Sequence, residues 1–401
     1  MITNRDIVIV GQQAWDIEIG SNCKNVALEF SKNNRVLYVN PPLDRITVLR
    51  QGNDPKVQKR LAVVNNEEDG LVKIQDNLWN LYPDKIIESI NWIKVDWLFN
   101  ALNKRNNKVF ATTIQDAVEK LAFENLIIFN DGDMFRSLFL KELLKPDMSI
   151  YYSRDNYLAT SYYKHHGKKI EPLIIEKSDV CLSNSDYLTD YCKKYNPNSY
   201  NVGQGCDLTA FTQIHELAIP DDIASIKGPI IGYVGVLFTV RLDISILTYI
   251  ALNNPDWNLV LIGPEDKKFL TSKLHQLGNV HFLGAKDPAL LPAYIKAFDV
   301  CINPQVLNEL TIGNYPRKID EYLAMGKPVV ATKTKAMKVF ENYTYTATTK
   351  EEYPSLIKLA LAEDCPNVRR DRINFASTHT WTNHVKEIYE AIVKTIKIRY
   401  A

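Results

Sequence analysis

The stretch "NYPRKIDEYLAMGKPVVAT", residues 314–332, contains a complete helix-to-strand unit. Ile319 and Leu323 lie at helical spacing and would share one buried face. Gly326 is a typical C-cap residue, and Pro328 shortly after it cannot continue a helix. The apolar run "VVAT" has the β-branched composition of a buried strand. The stretch therefore predicts an amphipathic helix that feeds a strand of an α/β sheet.

Apolar runs of strand length alternate with helix-length segments along the whole chain and fall into two series. The first series lies at residues 6–11, 35–41, 126–131, 148–153 and 179–185. The second series lies at residues 229–236, 258–264, 280–285, 299–305 and 327–333. Helix-length spacing between strands is typical of parallel βαβ units. We therefore predict two similar α/β halves, the second opening near residue 225, with ligands bound in a cleft at the carboxyl ends of the strands.

The composition narrows the functional classes. A chain of 401 residues exceeds the usual size of a single hydrophobic core, so two domains are expected. Its 48 basic and 47 acidic residues give a net charge of +1, which offers no basis for nucleic-acid binding by the chain as a whole. The six cysteines form no C-x-x-C pair and no Cys/His cluster, so we expect no structural zinc, no disulfide framework and a reducing, cytoplasmic environment. No apolar run has the length of a signal peptide or a membrane-spanning helix.

Two segments of the second half carry candidate ligand contacts. In "GYVGVLFTVRLD", Gly235 follows a strand and would let backbone N–H groups approach an anion, while Arg241 could add a forked charge to a phosphate. The alternative is a tight turn followed by a surface arginine. In "GAKDPALLPAY", Leu290 or Leu291 could form an apolar wall against a flat base, and the alternative, favoured for at least one of them, is a core leucine.

The helix predicted in residues 314–332 carries both basic and acidic side chains near its start. Free backbone donors at the helix N-terminus, with Lys318 beside them, suit a diphosphate. The carboxylate of Glu321 can accept two hydrogen bonds from vicinal ribose hydroxyls. Asn314, in the loop ahead of the helix, is assigned to the same nucleotide site. The alternative is an ordinary Lys318–Glu321 pair at i,i+3 on the helix surface.

These segments resemble a known family. "GYVGVL", "VHFLGA", "LLPAYIKAFDVCINP" and "KIDEYLAMGKPVVAT" are similar to the donor-binding half of GT-B glycosyltransferases of family 4, the glycosyl transferases group 1, in particular to bacterial teichuronic-acid and capsule-type members. "HTWTNHVKEIYEAIVKTIK" is similar to the tryptophan-led helix that returns to the first domain in that family. The resemblance implies an α/β fold of the GT-B type, with two Rossmann-like domains facing a central cleft. An acceptor domain would span 1–215, with a helix at 379–401 packed back on it, and a nucleotide-sugar donor domain would span 225–375.

The resemblance carries over to single residues. Arg241 occupies the place of the family's loop lysine, Lys318 lies in the helix-entry segment, and Glu321 matches the second glutamate of E-x7-E. Arg241 and Lys318 would accordingly take part in catalysis by stabilising the leaving diphosphate. Two positions depart from the pattern: Val236 stands where a loop arginine is usual, and Gly313 replaces the first glutamate, which contacts the donor sugar in the family. The resemblance therefore does not identify the sugar.

Three positions of the first half are candidates. Gly20 lies in the loop before the first helix and would permit close approach of backbone to a phosphate. Asp131 in "FNDGDMF" and Asp155 in "YYSRDNYL" stand where the family places sugar-positioning or acceptor-activating groups, and a carboxylate there could serve as a general base. The D-G-D at 131–133 also matches a metal motif of the other glycosyltransferase fold, but a turn is the favoured interpretation.

A tryptophan-bearing, basic segment concerns the acceptor. Residues 84–108 combine apolar positions with lysines and an arginine, and a second basic-aromatic patch follows at 162–169. Such a pattern can lie on an anionic membrane surface, where lipid-linked acceptors reside. The alternative is an amphipathic helix that packs on the first sheet.

We therefore predict a glycosyltransferase that moves a sugar from a nucleoside-diphosphate sugar to a glycan or lipid-linked saccharide in cell-surface polysaccharide biosynthesis. The retaining outcome is implied by the resemblance alone. No cofactor and no obligatory metal are expected, nor a nucleic-acid partner, and the expected location is the cytoplasm or the inner face of the membrane. A sugar-nucleotide epimerase or phosphorylase on the same scaffold and a non-catalytic nucleotide-sugar-binding subunit are left open as alternatives.

Overall fold

In the computed structural model, residues 2–17, 20–212 and 217–400 are described, without the side chains of 399 and 400. They form two compact units, the first comprising Met1–Gly205 and Trp381–Ala401 and the second Cys206–Thr380. Positions 18 and 19 of the loop around Gly20, residues 213–215 at the end of the predicted first domain and residue 401 of the predicted last helix lie outside the described residues.

The first unit is built on an eight-stranded sheet. Its strands are β1 Asp6–Gly11, β2 Arg35–Val39, β3 Leu71–Gln75, β4 Leu78–Leu81, β5 Leu126–Asp131, β6 Met148–Ser153, β7 Val180–Ser183 and β8 Ser199–Asn201. They are arranged in the order β3-β4-β2-β1-β5-β6-β7-β8, and every neighbouring pair is parallel except β3 and β4. The helices are α1 Asn22–Phe30, α2 Arg45–Gln51, α3 Pro55–Val64, α4 Asp96–Lys120, α5 Leu140–Leu144, α6 Ser161–Lys177 and α7 Asp186–Lys193.

Helices cover both faces of this sheet. Ile7 and Ile9 of β1 pack in the hydrophobic cluster that contains α1 residues, whereas Val8 and Val10 pack in the cluster that contains α4 residues. A strand buried on both faces has no polar side, so it reads as a continuous apolar run. This burial explains why β1 could be recognised from composition alone.

The second unit has a smaller sheet in which all neighbouring strands are parallel. Its strands are β9 Ile230–Val234, β10 Asn258–Ile262, β11 Val280–Gly284, β12 Val300–Asn303, β13 Val329–Thr332 and β14 Tyr345–Ala347, in the order β11-β10-β9-β12-β13-β14. The helices are α8 Thr209–Thr212, α9 Asp221–Ala224, α10 Ile244–Asn253, α11 Lys267–Leu270, α12 Leu291–Ala297, α13 Arg317–Ala324, α14 Glu352–Glu363 and α15 Pro366–Ala376. The predicted α/β class, with two Rossmann-like units, is confirmed.

The last helix, α16 Trp381–Tyr400, belongs to the first unit. The ring of Tyr389 stacks on Phe30 at 5.5 Å between centroids, and its hydroxyl accepts a hydrogen bond from Asn34 Nδ2 at 2.9 Å. Among the described residues, no helix is both long enough and apolar enough to cross a membrane.

The boundary between the units differs from the predicted one at residue 215. From Cys206 onward the chain packs with the second unit, because Cys206 Sγ donates to Asp320 Oδ2 at 3.3 Å and Leu208 lies in that unit's core. The predicted boundary followed composition, which does not reveal these long-range contacts.

Candidate functional site

The second sheet has a topological switch point between β9 and β12. The chain continues from β9 to β10 and β11 on one side, whereas β13 and β14 follow β12 on the other. Loops on either side of such a point leave a crevice at the carboxyl edge of the sheet, where ligands of α/β proteins bind. The two loops also contact each other: the Val306 N–H donates to the Arg241 carbonyl at 2.9 Å, and Asn308 Nδ2 donates to the Val240 carbonyl at 2.8 Å. The segments 235–243 and 304–316 therefore form one edge.

Glycine is required at the ends of β9 and β10. Gly235 and Gly263 have φ values of +138° and +148°, which side chains rarely tolerate. A Cβ on Gly235 would lie 2.7 Å from Lys318 Nζ, and a Cβ on Gly263 would lie 1.9 Å from the Gly235 carbonyl oxygen. The backbone conformation therefore favours glycine at both positions, and at Gly263 the Gly235 backbone also leaves no room for a Cβ.

Lys318 lies on the first turn of α13, directly above Gly235. Its Nζ donates to the hydroxyl of Tyr233 at 2.6 Å and lies 4.2 Å from the centre of that ring. The residue before the helix is Pro316, which makes no side-chain capping bond, and the N–H groups of Arg317 and Ile319 donate to the Tyr315 and Pro316 carbonyls at 3.1 and 2.9 Å. The positive end of the helix dipole next to an ammonium group forms an environment that suits an anion.

The two neighbouring carboxylates of α13 have different surroundings. Asp320 is fully buried, with His379 Nδ1 2.5 Å from its Oδ1 and Cys206 Sγ donating to its Oδ2. Glu321 is half-buried, and burial raises the pKa of its carboxyl although Arg317 and Lys318 oppose the rise. Within the described residues, the Glu321 carboxylate accepts no hydrogen bond. Glu321, rather than Asp320, can therefore offer oxygens to a ligand.

The remaining candidates of the second unit lie on loops of the same edge or near it. The side chain of Arg241 is exposed, in the segment that follows β9. Asn314 is half-buried, and its backbone N–H donates to the Thr311 carbonyl at 3.1 Å. Leu290 ends a short 3-10 turn and is 50% exposed, so it does not belong to the core, whereas Leu291 packs against the core of the second unit, as the alternative expected for at least one of the two. The contact of Leu290 with a base stays a prediction.

The first sheet has its own switch point, between β1 and β5. Here Gln12 Nε2 donates to the Gly132 carbonyl at 3.0 Å, and Gln12 Oε1 accepts from Arg136 at 3.1 Å, so the loops after both strands are tied together. Gly20 is exposed before α1, and a Cβ there would meet nothing within 4 Å. The protein itself therefore does not demand glycine at this position, and its approach to a phosphate stays a prediction.

The two candidate aspartates of the first unit share one arginine. Asp131, at the end of β5, is fully buried, and its Oδ1 accepts from Arg154 Nε at 2.7 Å. The same guanidinium donates to Asp155 Oδ2 at 3.0 Å, and the Asp155 side chain is 41% exposed. Burial makes Asp131 unsuitable for contact with an acceptor, so its position favours a role in holding Arg154. Asp155 is the accessible carboxylate of the pair.

Buried polar atoms that the sequence analysis missed lie near Asp131. Asp131 Oδ2, Ser153 Oγ and Asn184 Oδ1 are buried without a hydrogen-bond partner, and they stand at the ends of β5 and β6 and directly after β7. Leaving such groups unpaired is costly, so buried water at this edge would complete their hydrogen bonding. The signal available in the sequence was a polar residue at the end of each apolar run.

The D-G-D segment forms a turn. Gly132 has φ +69°, and Asp133 pairs with Arg136 at 2.7 Å, as Asp131 pairs with Arg154. Both carboxylates are thus neutralised by guanidinium groups rather than directed at a common point. The turn interpretation of this segment agrees with the structure.

One group of metal-capable side chains occurs among the described residues, and the sequence analysis missed it. Asp96, His165 and His166 bring ligand-type atoms within 4.8 Å of one another. Lys169 already pairs with Asp96 at 2.5 Å, and His166 Nε2 lies 2.7 Å from the Ile93 carbonyl oxygen. The ammonium of Lys169 and the hydrogen bond already made by His166 Nε2 both compete with a metal ion. We therefore assign no metal to this group.

The two basic-aromatic patches predicted from the sequence form one surface. Asn91 Nδ2 donates to the Tyr162 carbonyl at 2.9 Å, which joins the segment before α4 to the start of α6. On this surface Trp92, Trp97 and Tyr162 are 70%, 72% and 61% exposed. The predicted helical pattern begins too early, because α4 starts only at Asp96.

The comparisons with known proteins agree with this architecture. Residues 228–353 match the family model described as glycosyl transferases group 1. A putative teichuronic acid biosynthesis glycosyltransferase, TuaH of Bacillus subtilis (strain 168), is 30% identical over 173 residues. That alignment covers 41% of this chain and 43% of TuaH, so it spans less than half of the relative's length.

Solved structures match over nearly the whole chain. Sucrose-phosphate synthase of Thermosynechococcus elongatus has a TM-score of 0.64 at 14% identity and covers 98% of this chain and 100% of its own. HepE of Anabaena, solved in complex with UDP, has a TM-score of 0.64 at 14% identity with 97% and 100% coverage. α,α-Trehalose 6-phosphate synthase of Burkholderia multivorans has a TM-score of 0.65 at 12% identity with 100% and 99% coverage.

These matches confirm the resemblance stated from the sequence. At such low identities the structural likeness establishes the fold alone, and the sequence matches cover only part of the chain. The chain therefore has the fold of the GT-B glycosyltransferases, and residues 228–353 of its second unit match the family model of glycosyl transferases group 1.

Proposed function

We propose that this protein is a glycosyltransferase that takes a sugar from a nucleoside-diphosphate sugar and attaches it to a hydroxyl of a cell-surface glycan or its lipid-linked precursor. One observation carries the proposal. Lys318 and Glu321 lie on the first turns of α13, and Lys318 Nζ lies beside Gly235 at the switch point of the second sheet. A cation at a helix N-terminus and a separate carboxylate acceptor match the two polar parts of a nucleoside diphosphate.

In this proposal the residues of the second unit have distinct roles. Lys318, Arg241 and the N-terminus of α13 bind the diphosphate and stabilise the charge that develops on it as the sugar leaves. Glu321 accepts hydrogen bonds from the ribose hydroxyls. Gly235 allows the backbone to approach the phosphates, and Asn314 and Leu290 bound the same site. No cofactor and no obligatory metal enter the proposed reaction.

The relatives support the donor and acceptor classes. HepE was solved with UDP, and TuaH is named for teichuronic acid biosynthesis. A nucleotide-sugar donor and a cell-surface polysaccharide acceptor are the corresponding proposals for this chain. The accessible Asp155 is the proposed group near the acceptor hydroxyl, with Arg154 fixing its orientation. The retaining stereochemistry rests on the family resemblance.

Turnover of nucleotide sugars tests the proposal. The chain is incubated with UDP-, GDP- and dTDP-sugars, and release of nucleoside diphosphate is measured with and without membrane-derived acceptor. We expect one donor to be hydrolysed slowly alone and faster with acceptor, and the anomeric configuration of the product, read by NMR, to match the donor. Binding of a nucleotide sugar without any turnover would favour the non-catalytic subunit instead, and conversion of the sugar without transfer would favour the epimerase.

We also propose that the surface formed by Trp92, Trp97 and Tyr162 contacts an anionic bilayer. Lys94, Lys164 and Lys168 are exposed around these rings, and cations near a membrane surface are attracted at about 1 kcal/mol each. Co-sedimentation with vesicles should rise with phosphatidylglycerol content and fall with salt. Replacing the three lysines by glutamine should remove that dependence, whereas sedimentation that ignores lipid charge would rule the contact out.

A further inference from the structure

The first unit contains a cavity of about 550 Å³ whose lining includes Trp92 and Tyr162, two of the exposed rings of the surface described above. It is lined by residues that follow four different strands: Gln12 after β1, Asp44 after β2, Asp133 after β5 and Ser161 after β6. The carboxyl edge of a parallel sheet is where α/β proteins bind ligands. The volume lies in the range of small-molecule sites.

One wall of the cavity, residues 87–92, is held in place by side-chain hydrogen bonds. Asn106 bonds both the N–H and the carbonyl of Glu88, at 2.9 and 2.8 Å. The Ser89 hydroxyl donates to Asp44, which caps α2. A wall built in this way is in position before a ligand arrives, which lowers the cost of binding.

The wall presents an aromatic ring to the cavity. Trp92 lines the cavity and is 70% exposed, yet its Nε1 donates to the Ser89 carbonyl at 2.7 Å, so the ring is oriented although it is not covered. The lining also includes Tyr162, which is 61% exposed and packs edge-on against Tyr163 at 4.8 Å. Exposed, oriented rings suit a ligand with a flat apolar face and polar edges.

Two unused polar atoms belong to the same lining. Asn103 Nδ2 is a donor and Asn91 Oδ1 an acceptor, and both are buried without a hydrogen-bond partner. The Asn103 residue is only 1% exposed. A hydroxyl group both donates and accepts, so a ligand rich in hydroxyls would satisfy both atoms.

The charges of the lining disfavour an anion. Apart from His165, the ionisable groups are the carboxylates of Asp44, Glu88 and Asp133 and the guanidinium of Arg136. Arg136 Nε already pairs with Asp133 at 2.7 Å. The lining therefore holds three carboxylates against one guanidinium that is already paired, a balance that disfavours a carboxylate or phosphate of a ligand.

We propose that this cavity binds one uncharged pyranose residue of the acceptor glycan, with Trp92 stacking on the C–H face of the sugar and Asn91 and Asn103 bonding its hydroxyls. The assignment of this sugar to the acceptor glycan rests on the proposed glycosyltransferase function. Sugar binding itself can be tested without turnover. The ring of Trp92 supplies the apolar contact of such a site, and the two unpaired amide atoms supply its polar contacts.

Saturation-transfer NMR on the full chain tests sugar binding. The probes are methyl glycosides of neutral hexoses and of N-acetylhexosamines, with methyl glucuronide as the charged comparison. Trp97 matches Trp92 in exposure, at 72% against 70%, but does not line the cavity. Trp92→Ala should therefore lower the signal of the bound neutral sugar at least fivefold, Trp92→Phe should restore part of it, and Trp97→Ala should leave it at the wild-type level. Equal melting temperatures of the variants show that folding is retained.

The outcomes separate this inference from the proposed function. Three results would overturn the inference. The first is an equal signal for Trp92→Ala and wild type, and the second is an equal loss in both tryptophan variants. The third is binding of the glucuronide as well as of the neutral sugars. If sugar transfer occurs but Trp92→Ala leaves the acceptor KM unchanged, the proposed function stands and the inference falls. If Trp92-dependent sugar binding occurs in a chain that turns over no nucleotide sugar, a saccharide site stands and the transferase proposal falls.

Discussion

At the scale of single residues, Lys318 and Glu321 do not form the surface pair that an ordinary helix would show. Lys318 Nζ donates to Tyr233 OH, and within the described residues no ion pair joins Lys318 to Glu321. Burial raises the pKa of Glu321, which means that its surroundings in the protein penalise its charge. The carboxylate is therefore better satisfied by hydroxyl donors of a ligand than by the protein alone.

Glu321→Gln should weaken binding of UDP or another matching ribonucleotide, because a charged acceptor is replaced by a neutral one. The same change should matter far less for the 2′,3′-dideoxy nucleotide. Isothermal titration of both proteins with both nucleotides gives a coupling energy, expected at about 1–3 kcal/mol. Additive losses would show that Glu321 does not bond the ribose.

Because the pKa of Glu321 is raised above 4.5, ribonucleotide binding by the wild type should weaken as pH falls, and this weakening should start at a higher pH than for an exposed glutamate.

Lys318→Ala and Arg241→Ala should each weaken nucleoside-diphosphate binding by roughly 1.5–3 kcal/mol, the worth of a hydrogen bond to a charged group. Their effect on the unphosphorylated nucleoside should be small, since it lacks the charge they address. Lys358→Ala, an exposed lysine on α14 near Trp257, is the matched control and should leave both affinities unchanged. Unaltered diphosphate affinity in both site variants would remove the phosphate assignment.

At the scale of elements, the carboxyl edge of β9 and β10 depends on close backbone packing. The hydroxyl of Tyr322 accepts a hydrogen bond from the Val234 N–H at 2.9 Å, which fixes α13 against β9. Gly263 in turn packs directly on the carbonyl of Gly235. The distance between helix and strand ends is therefore set by groups that tolerate no added atoms.

Gly263→Ala should destabilise the protein by more than about 2 kcal/mol, because it adds a Cβ at 1.9 Å from a carbonyl oxygen and at φ +148°. Gly278→Ala is the control, since nothing lies within 4 Å of its Cβ, and it should change stability by at most about 1 kcal/mol in the favourable direction. Urea unfolding of both variants measures the difference. Similar stabilities would contradict the close packing at this edge.

At the scale of the whole molecule, buried ionisable groups make stability depend on pH. Glu171 of α6 is buried, its Oε1 accepts from Tyr151 OH at 2.9 Å, and burial raises the pKa of its carboxyl to about 7. In the unfolded chain the same group has the ordinary value of 4.5. The folded state therefore holds a proton that the unfolded state releases, and its contribution is present below pH 4.5 and lost as pH rises through about 7.

Glu171→Gln should therefore become more stable relative to the wild type as pH rises from 5 to 8, with a gain on the order of 3 kcal/mol between the extremes. Glutamine keeps the shape and cannot ionise. Glu176→Gln, an exposed position on the same helix, should show no such trend. Chemical denaturation at several pH values measures the differences, and a constant offset between Glu171→Gln and wild type would contradict the buried titration.

The sequence by itself determined the α/β class, because strands buried on both faces must be continuously apolar. Each of the ten runs predicted as strands contains a strand of the structure, whereas β3, β4, β8 and β14 were not predicted. Most of β3 is exposed, and β8 and β14 have only three residues each, so neither burial nor length marks them. The helix from Arg317, with Lys318 and Glu321 near its start, was also local enough to be predicted from spacing alone.

Only the tertiary structure decided which of these polar residues are available to a ligand. Asp320 and Glu321 are adjacent in the sequence, yet one is buried against the Cys206 segment and the other is not. Asp131 and Asp155 both pair with Arg154, yet Asp131 is buried at the end of β5 and Asp155 is accessible. The cavity in the first unit and the boundary at Cys206 combine residues far apart in the chain. Burial and long-range contacts are properties of the packed molecule, and no local pattern encodes them.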